Sequence, residues 1–545
     1  MAQLQADRDV VPQQAFDAIV VGAGFAGMYM LHRLRGLGLS AQVIEAGTGV
    51  GGTWYWNRYP GARVDIESME YSFSFDPELE REWRWSERYA PQPELLRYAN
   101  HVADRYDLRR DIKLETRVVA AAFDESANRW TVMTDAGDSL SARFCIMATG
   151  CLSTPKDLEF EGIRDFTGPI YKTFAWPRDG VDFTGQRVGI IGTGSSGIQT
   201  ITVVAEQAAQ LTVFQRTANY SSPAWNGPVT PDDYADWDAN RDAYRAEART
   251  QPVAARFNMT GDLALDATPE ERQSEFERRW RLGGIQAGYA YADVGTDRAA
   301  NQIAADFFAS KIRETVHDPE TAATLTPDTA VYPFATKRIC VDTGYYQVFN
   351  RDTVSLVDIR KDPIERITTD GISTATRDFA FDALIIATGF DAMTGTLNSI
   401  DIRGRGGLAL RDKWAEGPRS YLGLCVAGFP NLFTITGPGS PSVLTNMIMS
   451  IEQHVEFIAD AIAHLDSHQL SVIEATPKAE SEWVAHVNEV ADTTLFPQAN
   501  SWYMGANVPG KPRVFLPYVG GFPLYVEACN DIVANGYRGF VLATA

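Results

Sequence analysis

Two glycine triads stand out in this chain, Gly22, Gly24 and Gly27 within VVGAGFAG (20–27) and Gly192, Gly194 and Gly197 within IIGTGSSG (190–197). Each completes the pattern G-x-G-x-x-G, whose chemistry is dinucleotide binding. The first glycine permits a tight turn, the second lets backbone approach a pyrophosphate, and the third lets a helix pack closely on a strand. About twenty residues past the first triad comes Glu45, a carboxylate able to accept hydrogen bonds from both hydroxyls of an unphosphorylated ribose, as in FAD or NAD. Past the second comes Gln215-Arg216-Thr217. A guanidinium suits a 2′-phosphate that a carboxylate would repel, so the second site is expected to take NADP. A chain holding two dinucleotides is expected to pass electrons between them.

These residues need strands and helices to hold them, and the flanking pattern supplies both. Phe16–Val21 reads as a buried strand, Met28–Leu37 has apolar residues at helical spacing, and Ala41–Ile44 reads as a second strand. Arg187–Ile191, a helix from about Gly197 and Leu211–Phe214 repeat the arrangement. Two further apolar strands end in the same tripeptide, Ala148-Thr149-Gly150 and Ala387-Thr388-Gly389, which marks two crossings between nested domains. The expected fold class is α/β, with two nested Rossmann-like dinucleotide-binding domains and a mostly helical insertion. An FAD-binding domain is expected at 1–152 and 390–545, and an NADP-binding domain at 153–222 and 331–389. The insertion, 223–330, is rich in Asp, Glu, Arg and Ala and has few β-branched runs. Such an insertion commonly walls a substrate cavity, and a stability role is an equal alternative.

Composition narrows the function classes. At 545 residues with 45% apolar content the chain suits two or three domains. A net charge of −21 and the lack of a basic run oppose nucleic acid as a partner. No stretch approaches eighteen apolar residues, and Met1–Gln14 is polar without the parts of a signal peptide, so no membrane association and a cytoplasmic location are expected. The five cysteines include no C-x-x-C, which disfavours disulfide reduction and structural zinc. No hydrolase or metal motif is present, and no metal is expected. A flavin facing a nicotinamide then has three uses left: dehydrogenation, hydrogen peroxide production, or oxygen insertion. The aromatic segment Gly51–Asp65, GGTWYWNRYPGARVD, could wall a cofactor or belong to a plain aromatic core; Asp65 is available to hold a cation.

GGTWYWNRYPGARVD resembles the long signature of the type I Baeyer–Villiger monooxygenases, and FTGPIYKTFAWP at 166–177 resembles their F-x-G-x-x-x-H-x-x-x-W-P fingerprint. GFPNLFTITGPGSPSVLTNM at 428–447 and SWYMGANVPGKPRVF at 501–515 are similar to the phenylacetone and steroid monooxygenase branch. The resemblance runs almost end to end. Lys172 departs from it, standing where the fingerprint has histidine, and altered coupling between NADP-domain movement and flavin chemistry is expected there. What the resemblance implies is hydride transfer from NADPH to FAD, reaction with O2 to a C4a-peroxyflavin, and attack on a ketone carbonyl. The tetrahedral (Criegee) adduct then rearranges to an ester or lactone. N- or S-oxygenation, or an uncoupled NADPH oxidase-like flavoprotein, are the alternatives.

By the same resemblance Arg338 is the catalytic cation and Asp65 its partner. Arg216, Thr217 and Lys337 recognise the NADP 2′-phosphate, and Trp502 covers the nicotinamide half. Glu45, Thr53, Trp54, Asp65 and Met447 join the glycines in holding cofactor. Gly437-Pro438-Gly439 is expected to lead into a helix pointing at the flavin ring. The substrate pocket is assigned to Tyr71, Gln92, Leu152, Ser442, Val443, Leu444 and Tyr503. Cys151 replaces a polar amide of the phenylacetone branch, so that branch's substrate is not carried over; the oligomeric state stays open.

Overall fold

The structure, a computed structural model, describes residues 14–156 and 160–544. The polar start of the chain at 1–13 lies outside the described residues. The first glycine triad joins β1 (Gln14–Val21) to α1 (Phe25–Gly36), and β2 (Ala41–Ile44) follows. β1 lies between β2 and Ser139–Met147, parallel to both. Helices cover such a sheet on each face, which is why Ala18-Ile19-Val20 is an unbroken apolar run with no exposure.

The sheet that contains β1 has eight strands, and two of them, Asp401–Arg403 and Leu432–Thr434, come from beyond the second nucleotide unit. The chain therefore leaves this sheet, builds another and returns. The other sheet carries β3 (Arg187–Ile191) and β4 (Gln210–Gln215), with α2 (Ser195–Gln207) between them in sequence. Its five strands are all parallel, in the order Val354–Asp358, β4, β3, Ala383–Ile386, Ile170–Lys172. Lys172 ends the edge strand, in register with Ile386 just before the second A-T-G tripeptide.

The two crossings lie side by side. The Lys156 amide donates to the Gly389 carbonyl at 3.0 Å, and Pro155 bridges Phe390. Within residues 223–330 the chain forms four α-helices, Pro231–Thr250, Pro269–Leu282, Arg298–Thr315 and Pro319–Leu325. Polar N-caps start all four: Thr230 and Thr268 close capping boxes with Asp233 and Glu271, and Asp297 and Asp318 cap the others. Arg245, buried on the first of these helices, donates to the carbonyls of Met69 and Glu70 at 3.0 Å each and pairs with Glu80. That contact docks the insertion on the segment that carries Tyr71. Among the described residues no helix is long and apolar enough to cross a membrane.

Candidate active site

The two glycine turns share one geometry. Gly22 has φ +105° and Gly192 +111°, and a Cβ on Gly27 would stand 1.8 Å from the Gly22 carbonyl oxygen. Strand, turn and helix can meet this closely only with glycine at these positions. α1 and α2 begin on Gly24 and Gly194, which offer no capping side chain, so the first-turn amides of both helices are left for an anion. Around Gly194 nothing stands within 4 Å of a built Cβ, and at Gly24 only Gly52 does. A pyrophosphate therefore fits at each turn.

Glu45, buried at the end of β2, accepts from the Ala23 and Gly47 amides, both at 2.7 Å. These bonds fix the carboxylate beside the first turn, and its remaining lone pairs can take ribose hydroxyls. Thr53, itself exposed, opens a short helix whose Trp54 and Tyr55 are buried. Trp54 donates from Nε1 to the Tyr71 hydroxyl at 3.2 Å, their rings meeting edge to face at 6.0 Å, while Gln92 donates to the Trp54 carbonyl. Trp54, Tyr71 and Gln92 are thus one connected wall. Gln92 also borders a cleft of about 800 Å³ with Arg58, Arg97 and Arg178.

At the second turn Arg216 is exposed at the end of β4, and the Thr217 carbonyl accepts from Thr193 Oγ1 at 3.2 Å. Lys337 lies with its ammonium 4.3 Å from the Tyr332 ring centre. Burial, helped by the nearby Arg216 charge, lowers the Lys337 ammonium to about 8. Among the described residues neither cation has a carboxylate partner within ion-pair distance.

Arg338 stands where the two domains meet. Its Nε donates to Asp65 Oδ2 at 2.6 Å, its Nη2 to Asp65 Oδ1 at 2.9 Å, and its Nη1 to the Val443 carbonyl at 2.7 Å. This fork uses both edges of the planar group, a geometry that an ammonium cannot copy. Burial works against the Arg338 charge, but the Asp65 carboxylate more than offsets it and holds the guanidinium above its ordinary value. Arg338 is therefore a permanent cation.

The Val443 carbonyl is aimed by a strained turn. Ser442 has φ +44°, is fully buried, and donates to the Thr436 carbonyl at 3.1 Å; Thr445 Oγ1 closes the Ser442–Leu444 turn at 2.8 Å. The helix that Gly437-Pro438-Gly439 leads into starts at Met447, as α3 (Met447–Ser467), after an intervening turn. The reason is local: the left-handed Ser442 forces a separate turn, and Asn446 supplies the real cap, accepting from the Ile448 amide at 3.1 Å.

Around Arg338 the walls are aromatic. Burial raises the phenols of Tyr503 and Tyr289, with the Arg338 charge pulling both back, so both stay protonated. Tyr289 comes from the helical insertion and has no mark in the sequence, where GGIQAGYAYADVG at 283–295 shows neither a strand nor a helix period. Cys151 is a neutral thiol, pushed up to about 11 by burial against a hydrogen bond from Ser442. Leu152, Leu444, Met447 and Trp502 are partly buried on the same core, and the Trp502 and Tyr503 rings stand 4.1 Å apart. Among the described residues no three His, Cys, Asp or Glu side chains could hold a metal ion. The arrangement can do one thing well: hold developing negative charge against a fixed cation.

The family described as pyridine nucleotide-disulphide oxidoreductase matches residues 19–234. The chain is 44% identical over 531 residues to a Baeyer–Villiger monooxygenase of Pseudooceanicola batsensis, covering 96% of each chain. It is 42% identical to the phenazine N-monooxygenase PhzNO1 of Lysobacter antibioticus, covering 97% of both. A solved steroid monooxygenase in its oxidised form, bound to NADP, superimposes with a TM-score of 0.94 at 50% identity, over 98% of this chain and 100% of that one.

Proposed function

The chain belongs to the Baeyer–Villiger monooxygenases, and on that footing we propose that it inserts one oxygen atom beside the carbonyl of a small-molecule ketone to give an ester or lactone. It is a flavoprotein monooxygenase using FAD and NADPH. Gly22, Gly24, Gly27 and Glu45 would hold FAD at the first glycine turn, and the cofactor would supply hydride uptake from NADPH and activation of O2. The chain's own residues do the rest. Arg338 holds the negative charge that develops on oxygen, and because it cannot lose its proton it does so at any working pH. Asp65 and the Val443 carbonyl fix where that charge sits. Tyr71, Tyr289 and Tyr503 keep water from the site. The observation that carries this reading is the three-bond clamp on Arg338.

A panel of linear, aryl, cyclic and steroidal ketones, with an amine and a sulfide as controls, assayed by gas chromatography, tests the proposal. Ester or lactone from at least one ketone supports it; turnover of only the amine or sulfide defeats it. We place the enzyme in the cytoplasm, since its five cysteines are free and buried, which suits a reducing compartment.

Two expectations concern the NADP site. Arg216→Ala lowers the ratio of kcat/KM for NADPH over NADH by about tenfold or more, the loss of one charge-assisted contact to the 2′-phosphate. An unchanged ratio means that Arg216 makes no such contact. Lys337 binds phosphate only when charged, so kcat/KM for NADPH falls as pH rises through about 8, while that for NADH stays level. A pH profile run with both coenzymes reads this directly.

A further inference from the structure

The turn that aims the Val443 carbonyl at Arg338 is followed by a fully buried side chain, Asn446, which ties it to two distant parts of the chain. Each of the four polar groups of Asn446 is engaged. Its Oδ1 accepts from the Ile448 amide at 3.1 Å and its carbonyl from the Ser450 amide at 3.1 Å, the bonds of an ordinary helix start. The other two bonds are not needed to begin α3. The Asn446 amide donates to the Val253 carbonyl of the helical insertion at 2.8 Å, and Nδ2 donates to the Glu70 carbonyl at 2.9 Å, across 376 residues of sequence. Glu70 precedes Tyr71, whose hydroxyl receives the Trp54 indole. The insertion meets the same point twice more, with Arg245 donating to the Glu70 carbonyl at 3.0 Å and the Arg256 amide to the Glu70 carboxylate at 3.0 Å. Glu70 and Asn446 therefore form one junction between the insertion, the Tyr71 wall and the loop that clamps Arg338. A cap needs only an oxygen, which serine or aspartate also supplies. The side-chain amide of asparagine accepts at one atom and donates at the other, so it caps α3 and braces the junction together, which a carboxylate cannot do.

We propose that Asn446 is a positioning residue: it holds the Val443 carbonyl, and through it the Arg338 guanidinium, at a fixed spacing from Tyr71, so that the cation stays where oxygen transfer needs it. The inference rests on the reading of Arg338 as the group that holds negative charge in oxygen insertion, and adds the strut that keeps it in place. With the strut cut, Asp65 still holds Arg338 but the Val443 loop is free to shift against the Tyr71 wall. Electrons then leave without ester formation, NADPH, a proton and O2 giving NADP+ and H2O2.

The test uses the FAD-loaded enzyme and a ketone that the parent converts, with ester, H2O2 and NADPH consumption measured together, and with FAD content and melting temperature recorded for each variant. Asn446→Ser keeps a cap and loses the long donor. Its expected result is FAD content and melting temperature near the parent's, with ester per NADPH lower by about tenfold or more and H2O2 making up the difference, since misplacing a reacting group by about 1 Å costs up to about a hundredfold. Asn446→Asp keeps a strong cap and sets a carboxylate against the Glu70 carbonyl, so the same fall in coupling is expected should the serine variant not fold. Asn446→Ala loses the cap as well; its melting temperature falls below that of Asn446→Ser while its ester per NADPH matches it. Parental ester per NADPH in Asn446→Ser or Asn446→Asp, or a coupling that follows melting temperature across the three variants, makes Asn446 a helix cap only and overturns the proposal while oxygen insertion stands. A parent that makes no ester from any ketone overturns the functional reading, and the proposal with it.

Discussion

Replacing Arg338 by alanine leaves the enzyme yellow with FAD and still able to oxidise NADPH, and lowers ester formation by about two to three orders of magnitude. The side chain contacts Asp65 and a carbonyl of the loop before α3, and no glycine of the nucleotide turns, so cofactor content should stay near that of the parent. What is lost is the fixed positive charge facing the reacting oxygens, the kind of preorganised group whose removal costs about 3–4 kcal/mol in the transition state. Asp65 is then left without its cation, so the variant is also less stable. Arg338→Lys is a sharper comparison. It keeps the charge but cannot span Asp65 and the Val443 carbonyl in the same plane, so it should stay well below the parent. FAD absorbance, NADPH consumption and product yield, measured together, check all of this; an ester yield close to the parent's for Arg338→Ala removes the residue from the chemistry.

Gly27→Ala has an equally large effect by a different route. The added Cβ would meet the Gly22 carbonyl oxygen at 1.8 Å, and the obstacle is backbone in a tight turn, not a side chain that can swing away. Either α1 moves off β1 or the turn opens, and in both cases the uncapped amides no longer point at one place. The expected outcome is purified protein with FAD content lower by at least about tenfold, the amide cradle being the main phosphate contact. Gly36→Ala, at the exposed end of the same helix with nothing within 4 Å, serves as control and should bind FAD normally with a gain of about 0.5–1 kcal/mol in stability. Equal FAD content in the two variants would show that the close packing at Gly27 is dispensable.

Gly27 and Arg338 differ in how far the sequence alone reveals their surroundings. The glycine turns were legible because everything they need is local: strand, turn and helix lie within some twenty residues, and the spacing carries the geometry. The discontinuous sheet was legible for a related reason, since the two A-T-G strand ends are near copies. The Arg338–Asp65 pair was not. Its members are 273 residues apart, and only resemblance to a family linked them. The Val443 carbonyl as acceptor, and Tyr289 as wall, stayed hidden for the same reason: a backbone acceptor and an aromatic in an irregular stretch leave no periodic mark. The start of the helix after Gly437-Pro438-Gly439 shows another limit. Glycine and proline announce a break, but nothing in the run announces that Ser442 takes a left-handed conformation and delays the helix to Met447.

Oxygen insertion next to a carbonyl is tested most directly with labelled dioxygen. With a ketone from the panel under oxygen-18 gas, the product ester or lactone should gain a single labelled atom, located between the former carbonyl carbon and the migrated carbon, with one NADPH consumed per product. Hydrogen peroxide matching all of the NADPH consumed, with no labelled ester from any ketone, would contradict it.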